Sequence, residues 1–325
     1  MRTRAFRLGR IGAAVIGIAL AAAVIVISHP DRIWASLQDV DPVPVLVALV
    51  LNVPVILLRA YRAQVIIGRL NQRVSMRTMV PIQLVGQTSS SLTPAASGDY
   101  VRAYLWRRSN GIPVRAGAAV VTFERLYSLG LLIAVSLLLI TLPRHGVIGW
   151  VLVAAGLVAA TFAPLLFDLF PPALERWALG KVTRGRFLGR FAEGAIGMLD
   201  QFRILMRAQV MLAWTSFLTL AIFVLSGAQV WLAIAALGHR VPITQAVAAY
   251  TTSQVAGIVS TLPFGIGSAD AILVTVFAGY GVTVTLAATV AVLLRALTTL
   301  PQGLAGLAAY LLTEKPEARP AMEME

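Results

Sequence analysis

Charged side chains that must sit in hydrocarbon are the residues of this chain best placed to do chemistry. Arg295 lies between "VTVTLAATVAVLL" and "ALTTLPQGLAGLAAYLL", too deep in an apolar run to reach an interface by extending its stem. Arg125 occupies a similar position next to Glu124 in "GIPVRAGAAVVTFER". Two carboxylates, Asp99 in "SLTPAASGD" and Asp270 in "STLPFGIGSAD", follow Pro94 and Pro263, the second with Gly265 and Gly267 between. A charge at the bilayer centre costs about 2.5–3.5 kcal/mol on insertion scales, so such residues pair with one another or serve an ion or substrate path. The two arginines suit a phosphate or another anion passing through the protein. The carboxylates suit helix N-caps, a partner for an arginine, or an ion-coupling role. Neighbours in sequence do not face each other on a helix, so Glu124 must find its partner on another helix rather than in Arg125.

These residues recur in order. "GIPVRAGAAVVTFER" (111–125) aligns with "GVTVTLAATVAVLLR" (281–295), pairing Gly111 with Gly281, Val114 with Val284 and Arg125 with Arg295. Upstream, Pro94 and Asp99 face Pro263 and Asp270 at nearly the same offset. Two prolines, two aspartates and two arginines in one order mark an internal repeat.

The elements that must hold them are membrane helices. The chain has 325 residues, 58% hydrophobic and 13% charged, with a mean hydropathy of +0.82. That composition belongs to an integral membrane protein and leaves no stretch suited to a large soluble catalytic domain. Full spans are expected at about 11–27, 43–58, 116–142, 147–168, 210–237 and 284–312, with "PRHG" (143–146) ending the third. Two stretches too polar or too broken for lipid-facing helices, 78–110 and 243–280, are expected as broken or re-entrant segments. The fold is therefore an all-α polytopic bundle of six spans plus two broken segments. Residues 1–142 form the first repeat, 143–312 the second, and 313–325 a polar tail. Three crossings per half invert the second copy, an arrangement common among transporters, in which broken helices meet near the midplane.

The net charge of +13 comes almost wholly from arginine. Apart from Arg125 and Arg295, all Lys and Arg except Arg32, Arg144 and Arg240 fall on one side of this topology, which makes that side cytoplasmic, with both termini. The charge thus matches anionic lipid headgroups and not nucleic acid. Arg59 and Arg62 close the second span and are expected to snorkel to the interface. A basic segment at 171–209 carries Leu188, Phe191, Ala195, Met198, Phe202 and Leu205 at helical spacing, which fits a helix on the membrane surface or one packed on the bundle.

Other motifs are weak. "DVD" (39–41) matches the DxD pattern of metal-using sugar transferases, but Asp41-Pro42 ahead of an apolar run reads as a helix cap with proline at the first position. No nucleotide loop, His cluster or Ser-His-Asp set is apparent, so no catalytic residue, metal or cofactor is expected. With no cysteine, disulfides and thiol chemistry are excluded.

"RAYR" (59–62), "SLTPAASGDYVRAYLWRRSNGIP" (91–113), "ERLYSL" (124–129), "TLPFGIGSADAIL" (261–273) and Arg295 together resemble the lysylphosphatidylglycerol synthase transmembrane, or flippase-like, family. Where that family has glutamate after its glycines, this chain has Asp99 and Asp270; where it often has an acidic residue, Ser128 stands. Members fused to a soluble aminoacyl-transferase domain make and translocate aminoacylated phosphatidylglycerol, and relatives are linked to polyprenyl-phosphate sugars. The resemblance implies a lipid translocator of a bacterial inner membrane, working by alternating access on an anionic phospholipid or polyprenyl-phosphate lipid. Arg125, Arg295, Asp99, Asp270, Glu124, Pro94, Pro263, Gly265 and Gly267 would form its substrate site. A membrane-embedded glycosyl- or headgroup transferase using Asp39 and Asp41, or a non-transporting assembly protein, are the alternatives. The sequence leaves oligomeric state open, a homo-oligomer included.

Overall fold

A computed structural model describes residues 38–166, 197–260 and 267–313. Every regular element among them is helical. The expected first span, residues 171–196 of the basic segment, Pro263, Gly265 and the tail after 313 lie outside the described residues.

Asp41 begins the ordered bundle as a helix cap. Its Oδ1 accepts from the Val43 N–H at 2.9 Å and Pro42 takes the first position, so the second aspartate of "DVD" serves α1 (Pro42–Val50). A single residue, Leu51, joins α1 to α2 (Asn52–Arg69), and together they form one 28-residue apolar span. The sequence reading ended this span at 58. The helix continues because "RAYRAQVIIGR" keeps an apolar stripe at helical spacing, with Ala60, Ala63, Ile66 and Ile67 fully buried. Arg59 and Arg62 therefore sit within the span.

α3 (Met76–Leu92) ends at Thr93, followed by a 3₁₀ turn (Pro94–Tyr100) and α4 (Val101–Asn110). This is the expected break at Pro94. Gly111, with φ 70°, closes α4 in the left-handed conformation that glycine adopts freely. α5 then runs from Val114 to Leu166 as one 53-residue helix. The turn expected at "PRHG" is absent from its backbone. A proline inside a helix removes one intrahelical hydrogen bond and can be accommodated as a kink, so it does not by itself end the helix.

Residues 197–206 form α6, which ends in a turn before α7 (Gln209–Ala236). Phe202 and Leu205 of α6 are buried in the core, Phe202 edge-on to Phe123 at 6.0 Å. The end of the basic segment thus packs on the bundle. α8 (Ile243–Val259) and α9 (Ser268–Gly279) form the second broken pair, with α9 packed back along α8. Gly281, φ 84°, precedes α10 (Val284–Leu294). A π-helical turn at Arg295–Thr299 connects α10 to α11 (Leu300–Thr313), the three making one span.

Four helices among the described residues are long and apolar enough to cross a membrane: Pro42–Arg69, Val114–Thr141, Gln209–Ala236 and Val284–Leu312. Local structure repeats along them. α2 and α7 each lead into a 17-residue helix, α3 or α8, through a link with a positive φ near its start, at Asn71 or Gly238. The packing is reciprocal: α3 lies on α11, and α8 lies on α5. Two apolar cores result, one around Ile66, Phe123, Leu131 and Leu212, the other around Ile234, Phe277, Ala287 and Val290. Tyr250 packs against both.

Candidate functional site

Two charged clusters and one cavity occupy the polar interior. In the first cluster, Arg102 is 1% exposed. The start of α4 aims it back over α3, where a Cβ on Gly86 would collide with its stem. Its Nε lies 2.6 Å from Asp99 Oδ1, Nη2 donates to Asp99 Oδ2 at 2.9 Å, and Nη1 donates to Gln83 Oε1 at 2.7 Å. Nη1 also stands 2.7 Å from Glu124 Oε2, and the guanidinium lies over the Trp106 ring at 5.4 Å. Glu124 takes a second arginine, Arg62, whose Nε is 3.4 Å from Oε1. Arg62 Nη1 donates to Ser128 and Thr219, each at 3.0 Å.

Glu124 thus finds its partners on other helices, as its position beside Arg125 requires. Ser128, where the resemblance suggests an acid, supplies a neutral acceptor to Arg62. Arg62 does not snorkel; α5 and α7 hold it inside. Asp99 is not a helix cap, because Arg102 and Arg125 occupy it.

Arg125 Nε donates to Asp99 Oδ2 at 3.1 Å, and its Nη2 donates to Ser90 Oγ at 2.9 Å. The second cluster repeats the motif more simply. Arg295 donates from Nε to Asp270 Oδ1 at 3.1 Å and from Nη2 to Oδ2 at 2.7 Å. Asp270 Oδ2 also accepts from the Gly267 N–H at 3.0 Å, where φ of 85° requires glycine. Asp270 is therefore both a helix-start anchor and an arginine partner.

The cavity, with a volume of about 380 Å³, is walled by α2, α3, α7, α8, α9 and the span formed by α10, the π turn and α11. Arg295 and Asp270 line it, and so does Arg59 of α2, which has no carboxylate partner among the described residues. Ser90 borders it, which sets Arg125 one side chain behind the wall. Glu124 and Asp99 are not on the lining. Pro94 starts the 3₁₀ turn next to Thr93, itself a lining residue. An amide chain closes one wall: Gln87 donates to Gln302 Oε1, Gln302 Nε2 donates to Asn52 Oδ1 at 2.7 Å, and Asn52 Nδ2 donates to the Leu297 carbonyl at 2.8 Å. That carbonyl lies in the π turn.

The sequence reading placed Arg59 and Arg62 at the interface and passed over Arg102 and the amides. Arg102 stands three residues after Asp99, a spacing at which helical ion pairs form. The two arginines of "RAYR" lie inside an unbroken apolar stripe. The amides leave no such mark.

The sequence model of the lysylphosphatidylglycerol synthase TM region matches residues 14–306. A UPF0104 membrane protein of Methanothermobacter thermautotrophicus is 27% identical over 296 residues, covering 85% of this chain and 88% of that one. A second protein of the same name and organism is 24% identical over 298 residues, 85% of each chain. Glycosyltransferase AglD of Haloferax volcanii is 32% identical over 100 residues, 31% of this chain and 16% of its own length. These relatives are archaeal.

Proposed function

The chain belongs to the lysylphosphatidylglycerol synthase transmembrane-region family of multi-pass membrane proteins, and from that premise we propose that it translocates a lipid with an anionic headgroup. The cavity carries this reading: about 380 Å³ of space lined by helices of both parts of the chain and holding Arg59 and Arg295. Its size falls in the roughly 300–1,000 Å³ range of small-ligand sites, enough for a headgroup whose acyl or prenyl chains remain in lipid. Arg295 with Asp270 is neutral as a pair, so Arg59 gives the lining its net positive charge. Arg295 contacts the headgroup phosphate, while Arg125 steadies Ser90 and the Pro94–Asp99 turn from behind.

Two halves move around this site. The repeated order of helices and the reciprocal packing of α3 on α11 and α8 on α5 support two copies of one unit, the second inverted. Each broken pair folds back on itself as a re-entrant hairpin. Rocking one half against the other exposes the cavity to each leaflet in turn, in the cytoplasmic membrane with both termini inside. Net movement follows the lipid gradient or its consumption.

A panel of fluorescent lipids in proteoliposomes tests this, wild type against Arg295→Ala, by accessibility of the headgroup to a membrane-impermeant quencher. Wild-type protein is expected to accelerate exchange of at least one anionic lipid, and the variant to slow it. Exchange no faster than in empty liposomes refutes the mechanism, as does full activity of a folded Arg295→Ala.

A further inference from the structure

Polar groups with no partner among the described residues indicate what the cavity takes besides phosphate. Ser226, Tyr250, Gln254 and Thr299 all line it, and none of their side chains hydrogen-bonds another described residue. They come from three separate spans or segments: Ser226 from α7, Tyr250 and Gln254 from α8, and Thr299 from the π turn. All four are neutral, and each both donates and accepts. Among the described residues the one carboxylate on the lining is Asp270, and Arg295 and the Gly267 N–H occupy it. Tyr250 is the one aromatic residue among them.

This set discriminates between headgroup chemistries. A free carboxylate or an aromatic cage would favour an ammonium group, and the described residues of the lining provide neither. Arg59 would repel it. A polyhydroxylated headgroup presents several O–H groups that donate and accept, which matches four neutral bifunctional side chains. The phosphate that joins such a headgroup to its lipid finds Arg59 and Arg295.

We propose that the cavity selects a phosphate ester carrying an uncharged polyhydroxyl group, such as glycerol, inositol or a sugar, and rejects phosphate esters of amines. The proposal rests on the reading of this cavity as the headgroup site and specifies its ligand.

Binding to the full chain in detergent tests it, measured as displacement of a fluorescent phosphatidylglycerol. Phosphatidylinositol and unlabelled phosphatidylglycerol are expected to compete about tenfold better than phosphatidylethanolamine or phosphatidic acid, a difference of one or two hydrogen bonds. Gln254→Ala combined with Thr299→Ala is expected to reduce that preference severalfold. Gln254 is exposed and Thr299 has no side-chain partner among the described residues, so the pair is expected to fold. Equal or better competition by phosphatidylethanolamine, or by lysyl-phosphatidylglycerol, overturns the proposal. So does selectivity that survives the double variant unchanged.

Glycerol 3-phosphate and a hexose 1-phosphate separate the sources. Competition by these as strong as by the lipids supports the ligand chemistry and assigns it to a soluble phosphate ester, removing the lipid cargo. Selective binding of phosphatidylglycerol without its movement in proteoliposomes likewise refutes transport alone. Movement of all lipids alike, without preference, refutes this inference alone.

Discussion

Arg295 meets Asp270 edge to edge, Nε to Oδ1 at 3.1 Å and Nη2 to Oδ2 at 2.7 Å, at the wall of the central cavity. The equivalent pair, Arg125 with Asp99, shares its carboxylate with a third, fully buried residue, Arg102. One motif thus occurs in two settings, one locked into a network and one bordering open space.

That contrast predicts unequal effects of neutralising the two aspartates. Asp99→Asn leaves Arg102 short of a partner at a site with 2% side-chain exposure and is expected to cost about 3–5 kcal/mol, the range for breaking a buried pair. Asp270→Asn leaves Arg295 29% exposed, where the cavity can solvate it, and its cost is expected to be smaller. Thermal unfolding in detergent compares them; a larger loss for Asp270→Asn would reverse the assignment.

Asp270→Asn also removes the charge that offsets Arg295. Binding of an anionic lipid is expected to tighten severalfold, while Arg295→Ala weakens it by about tenfold or more, a loss of roughly 1.4 kcal/mol. Displacement of a fluorescent anionic lipid reads both, and weaker binding in Asp270→Asn would count against a phosphate at Arg295.

Glu124 joins Arg62 to Arg102 with its own side chain 2% exposed. Glu124→Gln is expected to lower the yield of folded protein sharply, because two buried guanidiniums lose their shared charge. Size-exclusion profiles of a fluorescent fusion would show aggregation; a monodisperse variant of normal stability would deny the network its structural role.

Close helix crossings give a steric prediction. A Cβ at Gly227 would stand 2.8 Å from Val247 Cα, and one at Gly306 would stand 2.7 Å from the Leu84 carbonyl oxygen. Gly227→Ala and Gly306→Ala are each expected to cost about 1–3 kcal/mol by forcing α7 from α8 and α11 from α3. At Gly303 nothing lies within 4 Å of an added Cβ, so Gly303→Ala is the neutral control in the same thermal assay.

The orientation of the halves has its own test, aided by the absence of cysteine. Arg73 lies in the link from α2 to α3, and Arg240 in the matching link from α7 to α8. Single cysteines at these sites are expected to react with an impermeant reagent from opposite sides of the membrane. Reaction from one side would exclude the inverted arrangement.

Much of this was legible in the sequence where a residue violates its surroundings. Arg125, Arg295, Asp99 and Asp270 are too costly in hydrocarbon to be incidental, and their order located both broken segments. The roles were harder to read. Asp99 has the sequence setting of a helix cap, yet two guanidiniums, one of them brought by Arg125 from 26 positions away, take its oxygens. Arg62 resembles an interfacial arginine until the buried stripe from Ala60 to Ile67 shows the helix continuing beyond it. "PRHG" reads as a turn, but one proline can kink a helix without ending it. Ser226, Gln254 and Thr299 are ordinary in membrane helices, and only the folding together of separate segments collects them on one wall.

The π turn at Arg295–Thr299 has a consequence for how the last span addresses its neighbours. In an uninterrupted α-helix, positions eleven apart project within about 20° of each other, so Arg295 and Gly306 would share one face. A π turn holds one residue more than an α turn and twists everything after it by about 100°. The span therefore behaves as two rods of different azimuth on one axis. Its first part presents Arg295 to α9, and its second lays Gly306 against α3. Straightening that turn would put the cavity's arginine and the contact with the other broken segment in competition for one side of the helix.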